Sequence, residues 1–242
     1  GYTVATEMYS AGIDRLTHQP LSFSVSETTE GVHIHIIDAE LMGKGEKEKK
    51  DLYIEGIQNN GIINHYEYII NSEGTIEIRH VLKPEGKMPL WFPRIGLTLT
   101  VSDALDQVKW YGRGPQENYP DRKTGYPTGI YASTVQAMYE PYLMPQDYGL
   151  RTDVRWLQLT TDKGIGLQFK MNEWFNFNIY PYSTDNLTKA MYTYQLQKQK
   201  GMTLNLDYAT TGVGCTARGV FGAYKAMPQE YRRTISIRPM MK

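Results

Sequence analysis

The sequence predicts an all-β protein, a large antiparallel two-sheet β-sandwich. Three observations predict it. Ten runs alternate apolar and polar residues with period two. Short turn signals separate the runs, and no helical period recurs along the chain.

Each run has the pattern of a half-buried strand, whose successive side chains point to opposite faces. "LSFSVSE" (Leu21 to Glu27) and "GVHIHIIDAEL" (Gly31 to Leu41) come first. Part of the second, "HIIDAEL", could wind as a helix, but its β-branched content favours a strand. "HYEYII" (His65 to Ile70), "TIEIRHVL" (Thr75 to Leu82) and "IGLTLTV" (Ile95 to Val101) follow, with "NSEGT" at 71–75 and "EGK" at 85–87 as turns. "VRWLQLTT" (Val154 to Thr161) and "IGLQFKM" (Ile165 to Met171) flank the turn "TDKGIG" at 161–166. "FNFNIYPY" (Phe175 to Tyr182), "MTLNLDYA" (Met202 to Ala209) and "TISIRP" (Thr234 to Pro239) complete the set. One short helix is expected over Ser183 to Met191, with Ser183 or Thr184 as its N-cap. The charge run "GKGEKEKKDLYIEG" (Gly43 to Gly56) suits a solvated hairpin tip or loop. No Gly/Ser/Pro linker divides the chain, so its 242 residues are expected to form one domain.

Composition narrows the function. Lys+Arg and Asp+Glu both number 26, giving zero formal net charge. With no basic block, there is no electrostatic case for nucleic acid or for an anionic membrane surface. The apolar runs are far shorter than a membrane span. Cys215 is the one cysteine, so no intrachain disulfide and no cysteine-built metal site can form. The chain opens Gly1-Tyr2-Thr3-Val4 rather than with Met, and is expected to be a piece of a larger protein. Tyr is in surplus, at 19 against 6 Phe and 4 Trp. Its apolar ring and polar tip suit half-buried strands and wet, sugar-like ligands.

Chemistry-bearing patterns are few. His33 and His35 share one strand face, but sequence alone places no third ligand beside them, and no metal site is expected. There is no Gly-x-Ser-x-Gly elbow for a serine nucleophile. "TGVGCTARG" (Thr211 to Gly219) lacks the Lys-Ser/Thr ending of a phosphate loop, and Cys215 within it is expected to be structural. Glycoside hydrolysis needs two carboxylates across a sugar. Glu117, Asp121, Asp147, Asp153 and Glu173 are available, but no pattern sets one opposite another. Asp121 beside Arg122, and Arg151, Asp153 and Arg155 in alternation, suit ion pairs and loop anchors.

The densest polar stretch is "WYGRGPQENYPDRKTG" (Trp110 to Gly125), with five charged residues, three Gly and two Pro. With "YEPYLMPQDYGLRTDVRWLQLTTDKGIGL" (Tyr139 to Leu167), "FPRIGLTLTV" upstream and, more loosely, "IDRLTHQPLSFSV", it resembles the C-terminal, small-chain domain of β-galactosidases of glycoside hydrolase family two. The resemblance is strongest over residues 92–170 and covers most of the chain.

The resemblance implies a galactose-mutarotase-like supersandwich. It implies that the two catalytic glutamates lie in a separate (β/α) barrel of the same parent chain, so that this chain alone is inactive and carries no cofactor. The implied role is to pack on that barrel and help complete the pocket for a β-galactoside. Arg113, Gly114, Pro115, Glu117, Asn118, Tyr119, Asp121 and Arg122 match the family's loop motif and are expected to be structural. In some relatives the late Gly-rich loop presents an aromatic residue to the sugar. Here Cys215, Arg218 and Gly219 occupy that region, with no aromatic before Phe221. The alternatives are a free-standing carbohydrate-binding module and an aldose epimerase. The epimerase would need a His facing a Glu, and no His lies in a matched loop motif.

Overall fold

A computed structural model describes residues 12–42, 60–214 and 219–241. The charge run at 43–56, together with Cys215 and Arg218, lies outside the described residues. Two compact units emerge: Gly1–Pro93 with Gly214–Ser236, and Arg94–Val213 with Ile237–Lys242. The strand pairings within each of the two units are antiparallel, as the alternation predicts.

The first unit contains a meander of β1 (Thr17–Thr28), β2 (Gly31–Leu41), β3 (Gly61–Ile70) and β4 (Ile76–Glu85), each strand pairing the next. The β3–β4 turn is set by Asn71, whose Oδ1 accepts from the Glu73 and Thr75 amides, both at 3.0 Å. Asn is suited to this because its short side chain bonds its own backbone a few residues on. The core includes Leu41, Ile62, Ile69, Ile78, Leu82, Trp91 and Phe92. Within it His80 Nε2 meets Asn64 Oδ1 at 3.0 Å, and Tyr66 stacks on the imidazole.

The second unit carries β5 (Arg94–Val101), β6 (Gln107–Arg113), β7 (Thr128–Thr134), β8 (Arg151–Thr160), β9 (Gly166–Tyr180) and β10 (Met202–Thr210). Their order is β7-β6-β8-β9-β10-β5. The last strand, β11 (Tyr231–Met240), divides its residues between the two units. Trp110, Leu157, Leu159, Phe175, Phe177, Leu204 and Leu206 are fully buried. Phe177 meets the Trp110 ring edge-on, and Trp110 Nε1 donates to the Arg113 carbonyl at 3.0 Å. The predicted helix is α1 (Thr184–Lys189), with Ser183 capping the Asn186 amide at 3.0 Å. Its Leu187 packs with Tyr148 and Tyr180, and Tyr139, Tyr142 and Tyr182 surround them.

Two local expectations are corrected. "IGLQFKM" and "FNFNIYPY" are not separate strands but parts of β9, which runs straight through the exposed Asn172, Glu173 and Trp174. The polar interruption reflects solvent exposure in mid-strand. Trp110–Arg113, for which no strand was expected, is the end of β6. There Val108, Trp110 and Gly112 face inward, and the small Gly112 obscures the alternation.

Candidate functional site: a saturated loop scaffold beside strand eight

The motif loop leaves β6 at Arg113, passes a cis Gly114–Pro115 peptide and folds against the start of β8. Tyr119–Arg122 close a tight turn, with the Arg122 amide donating to the Tyr119 carbonyl at 2.8 Å. Pro120 at its second position presets the required φ.

Glu117 is buried and receives four donors. Arg122 Nη2 (2.9 Å) and the Tyr142 hydroxyl reach Oε1; the Tyr119 hydroxyl (3.1 Å) and the Gly149 amide (2.9 Å) reach Oε2. Burial and the neighbouring carboxylate push Tyr119 well above the ordinary phenol range and Tyr142 up to about 12. Both hydroxyls therefore stay protonated and keep donating at neutral pH. Asn118 is wholly buried. Its Oδ1 accepts from the Thr152 amide (3.1 Å) and hydroxyl (2.5 Å), while its Nδ2 donates to the Gln116 carbonyl at 3.0 Å.

Asp153 organises the other side. It accepts from Arg113 Nε at 2.5 Å and from Lys123 Nζ at 2.8 Å. Arg113 also donates to the Lys123 and Tyr126 carbonyls, at 3.0 and 2.9 Å, lashing the loop to its strand. Asp153 holds φ at 55°, where the β8 register slips against β9. Burial would raise its carboxyl pKa, but hydrogen bonds from Lys123 and Arg113 outweigh burial and hold it below the usual range.

The partners differ from those the sequence suggested. Arg122 pairs with Glu117, not Asp121. Asp153 pairs with Arg113 and Lys123, while Arg155 Nη1 reaches only the Asp153 carbonyl, at 2.5 Å. The buried Arg151 donates to the Pro115 and Gly149 carbonyls and lies over the Trp110 ring. Burial lowers its guanidinium to about 10, so it stays charged at neutral pH. The bulge at Asp153 breaks strict alternation, so residues two apart do not share a face here.

Asp121 has a different task. Its Oδ1 accepts from the Val213 amide at 3.0 Å, and a Cβ on Gly212 would fall 2.3 Å from its carboxyl carbon. With glycine here Asp121 can sit this close, and the contact fixes where the Gly-rich stretch leaves the second unit. Of the residues expected to meet sugar, Gly219 is described, and it is exposed with open space around its Cβ position.

Sequence reasoning missed a second network. Arg94 makes a two-point contact with buried Asp207, at 2.6 and 3.2 Å, and reaches Asn178 Oδ1 at 3.2 Å. Asn178 Nδ2 donates to Asp147 at 2.8 Å, and Asn205 Nδ2 donates to Asn178 Oδ1 at 2.8 Å. Burial lowers the Arg94 pKa, but the carboxylates of Asp207 and Asp147 outweigh it and hold the charge firmly. Asp147 is the solvent-facing end, with 44% of its side chain exposed. The signal lay in "FNFN" and "LNLD", where Asn and Asp alternate with core residues and so share one strand face.

The family model described as β-galactosidase small chain matches residues 7–237. The chain belongs to the β-galactosidase small-chain family. Among family relatives, a β-galactosidase from Priestia megaterium is 38% identical over 147 residues, covering 61% of this chain and 14% of its own length. One from Vibrio cholerae is 31% identical over 207 residues, covering 85% of this chain and 18% of its own. The chain thus spans less than a fifth of the curated family members it matches. Among solved structures, a GalM/aldose epimerase homologue from C. elegans aligns over 91% of this chain and 69% of its own, at 10% identity and a TM-score of 0.44.

Proposed function

We infer that this chain is the accessory β-domain of a β-galactosidase, packing on the catalytic barrel of its parent and helping complete the carbohydrate pocket. One observation carries this reading. The motif's buried carboxylate, Glu117, is saturated by four donors, and Asp153 is held by two cations. A general acid must have a proton to give, and a nucleophile must have a free lone pair. Here the donors on Glu117 and the cations on Asp153 tie both carboxylates into the loop, where they position backbone. The carbohydrate contact falls instead to the stretch beyond Val213, carrying Cys215, Arg218 and Gly219, whose departure point Asp121 fixes. The epimerase alternative is disfavoured because all five histidines belong to β1–β4 in the sequence and none to a motif loop.

The test is a nitrophenyl-galactoside assay on the chain alone, and on the chain mixed with the rest of its parent. No turnover alone and restored turnover on mixing are expected. Hydrolysis by the isolated chain overturns the reading. A galactose titration distinguishes a free-standing binding module, which would bind saturably without the barrel.

A further inference from the structure

The sequence places His33 and His35 on one face of β2 but no third ligand. The register supplies it. Glu67 on β3 stands directly opposite His35. We propose that His33, His35 and Glu67 form a binding site for a borderline divalent cation of the Zn2+ type, linking β2 to β3.

One ligand atom from each of the three lies within 4.8 Å of the others. Glu67 Oε1 is 3.5 Å from His33 Nδ1 and 3.9 Å from His35 Nε2. Around a tetrahedral ion with bonds of about 2.0–2.1 Å, ligand atoms sit roughly 3.3 Å apart. The gap therefore closes by small side-chain rotations. His35, with half its side chain exposed, is free to make them. The two rings lie nearly parallel, with centroids 6.4 Å apart.

A second observation is independent of that spacing. His33 Nε2 is buried and has no hydrogen-bond partner among the described residues. The nitrogen facing Glu67 is Nδ1, so with a metal there Nε2 would carry the ring proton and need an acceptor of its own. Glu30 Oε2 lies 3.9 Å away at the β1–β2 turn, a further oxygen within reach. Two imidazoles with carboxylate oxygen suit zinc, copper or nickel rather than magnesium or calcium. Arg79 opposes the cation: its Nη1 holds Glu67 Oε2 at 3.1 Å. Glu67 Oε1 faces the histidines, and Arg79 leans equally on Glu77 at 2.8 Å. The cation would hold β2 against β3 as a cross-strand clip, a structural task separate from sugar chemistry.

The experiment is a calorimetric titration of the metal-stripped 242-residue chain with zinc chloride in a non-coordinating buffer, with 15N spectra of the imidazoles. One equivalent should bind saturably, shift the His33 and His35 resonances, and raise Tm as free zinc rises. His33→Asn/His35→Asn should abolish binding while leaving the far-UV spectrum unchanged, and Arg79→Gln should tighten it severalfold. His18→Asn removes a ligand from the other candidate group, His18 with Asp38 and Glu40, and should change nothing. Absence of saturable binding overturns the proposal. So does full binding by the double variant, or loss of binding in His18→Asn. If the double variant misfolds, the wild-type imidazole spectra alone decide.

Discussion

Asp153 occupies a left-handed backbone conformation that side chains other than Asn, Asp and Gly seldom adopt, and its two cations keep it there. Asp153→Ala should cost about 2–3 kcal/mol, from lost charged hydrogen bonds and added backbone strain, read as a fall in Tm. Asp153→Asn should cost less, because Asn tolerates the conformation; equal losses would show that charge alone matters. Since the folded carboxyl is held below its unfolded value of about 3.9, this residue's stabilisation is present above that pH. It drains away as pH falls through the lower folded value, so the variant's Tm difference from wild type should shrink in strong acid. Asp121→Ala is milder. Its acceptor serves the amide of Val213, a half-exposed residue, so a loss near 1 kcal/mol is expected. An unchanged melt would count against an anchoring role.

At the scale of elements, the strands were legible because period two survives wherever one face is buried. β2 matches its predicted span, Gly31 to Leu41, residue for residue. Where a strand changes partners, the pattern was misleading. β9 pairs β8 from Gly166 to Phe177 and gains β10 from Asn176 to Tyr180, and its exposed middle looks like a turn in one dimension. β7 went unread because its run, "TGIYAST", has few apolar residues and keeps Ile130 exposed. The partners of the motif residues were not legible, since Glu117 draws donors from Tyr142 and Gly149, far along the chain. No local spacing encodes such contacts. Gly212 tests the coupling between elements. Gly212→Ala drives a methyl into the Asp121 carboxylate, so the substitution should lower Tm by more than Asp121→Ala does. In the double variant, removing the carboxylate should recover part of that loss.

For the whole molecule, His80 sets a pH window. Burial, with a smaller push from His65, lowers its imidazole to about 4. The unfolded chain therefore takes up a proton near pH 6.5 that the folded chain refuses. Stability should fall as pH drops from about 6.5 to about 4, by about 3 kcal/mol in all, and then level off for this group. Denaturant melts across that range check it, and His80→Gln should flatten the profile. A wild-type profile already flat between those limits would show that His80 charges freely in the fold.

The pairing of β5 with β10 matters for how the protein is made. The strands meet along their whole length, Arg94 against Thr210 and Val101 against Met202, yet all of Ser102–Gly201 lies between them in the chain. On the ribosome, β5 emerges long before its partner, with Ile95, Leu97, Leu99 and Val101 awaiting cover. Nascent chains halted before Met202 should therefore present a sticky strand edge and recruit chaperones. Those halted once Thr210 has cleared the exit tunnel should not.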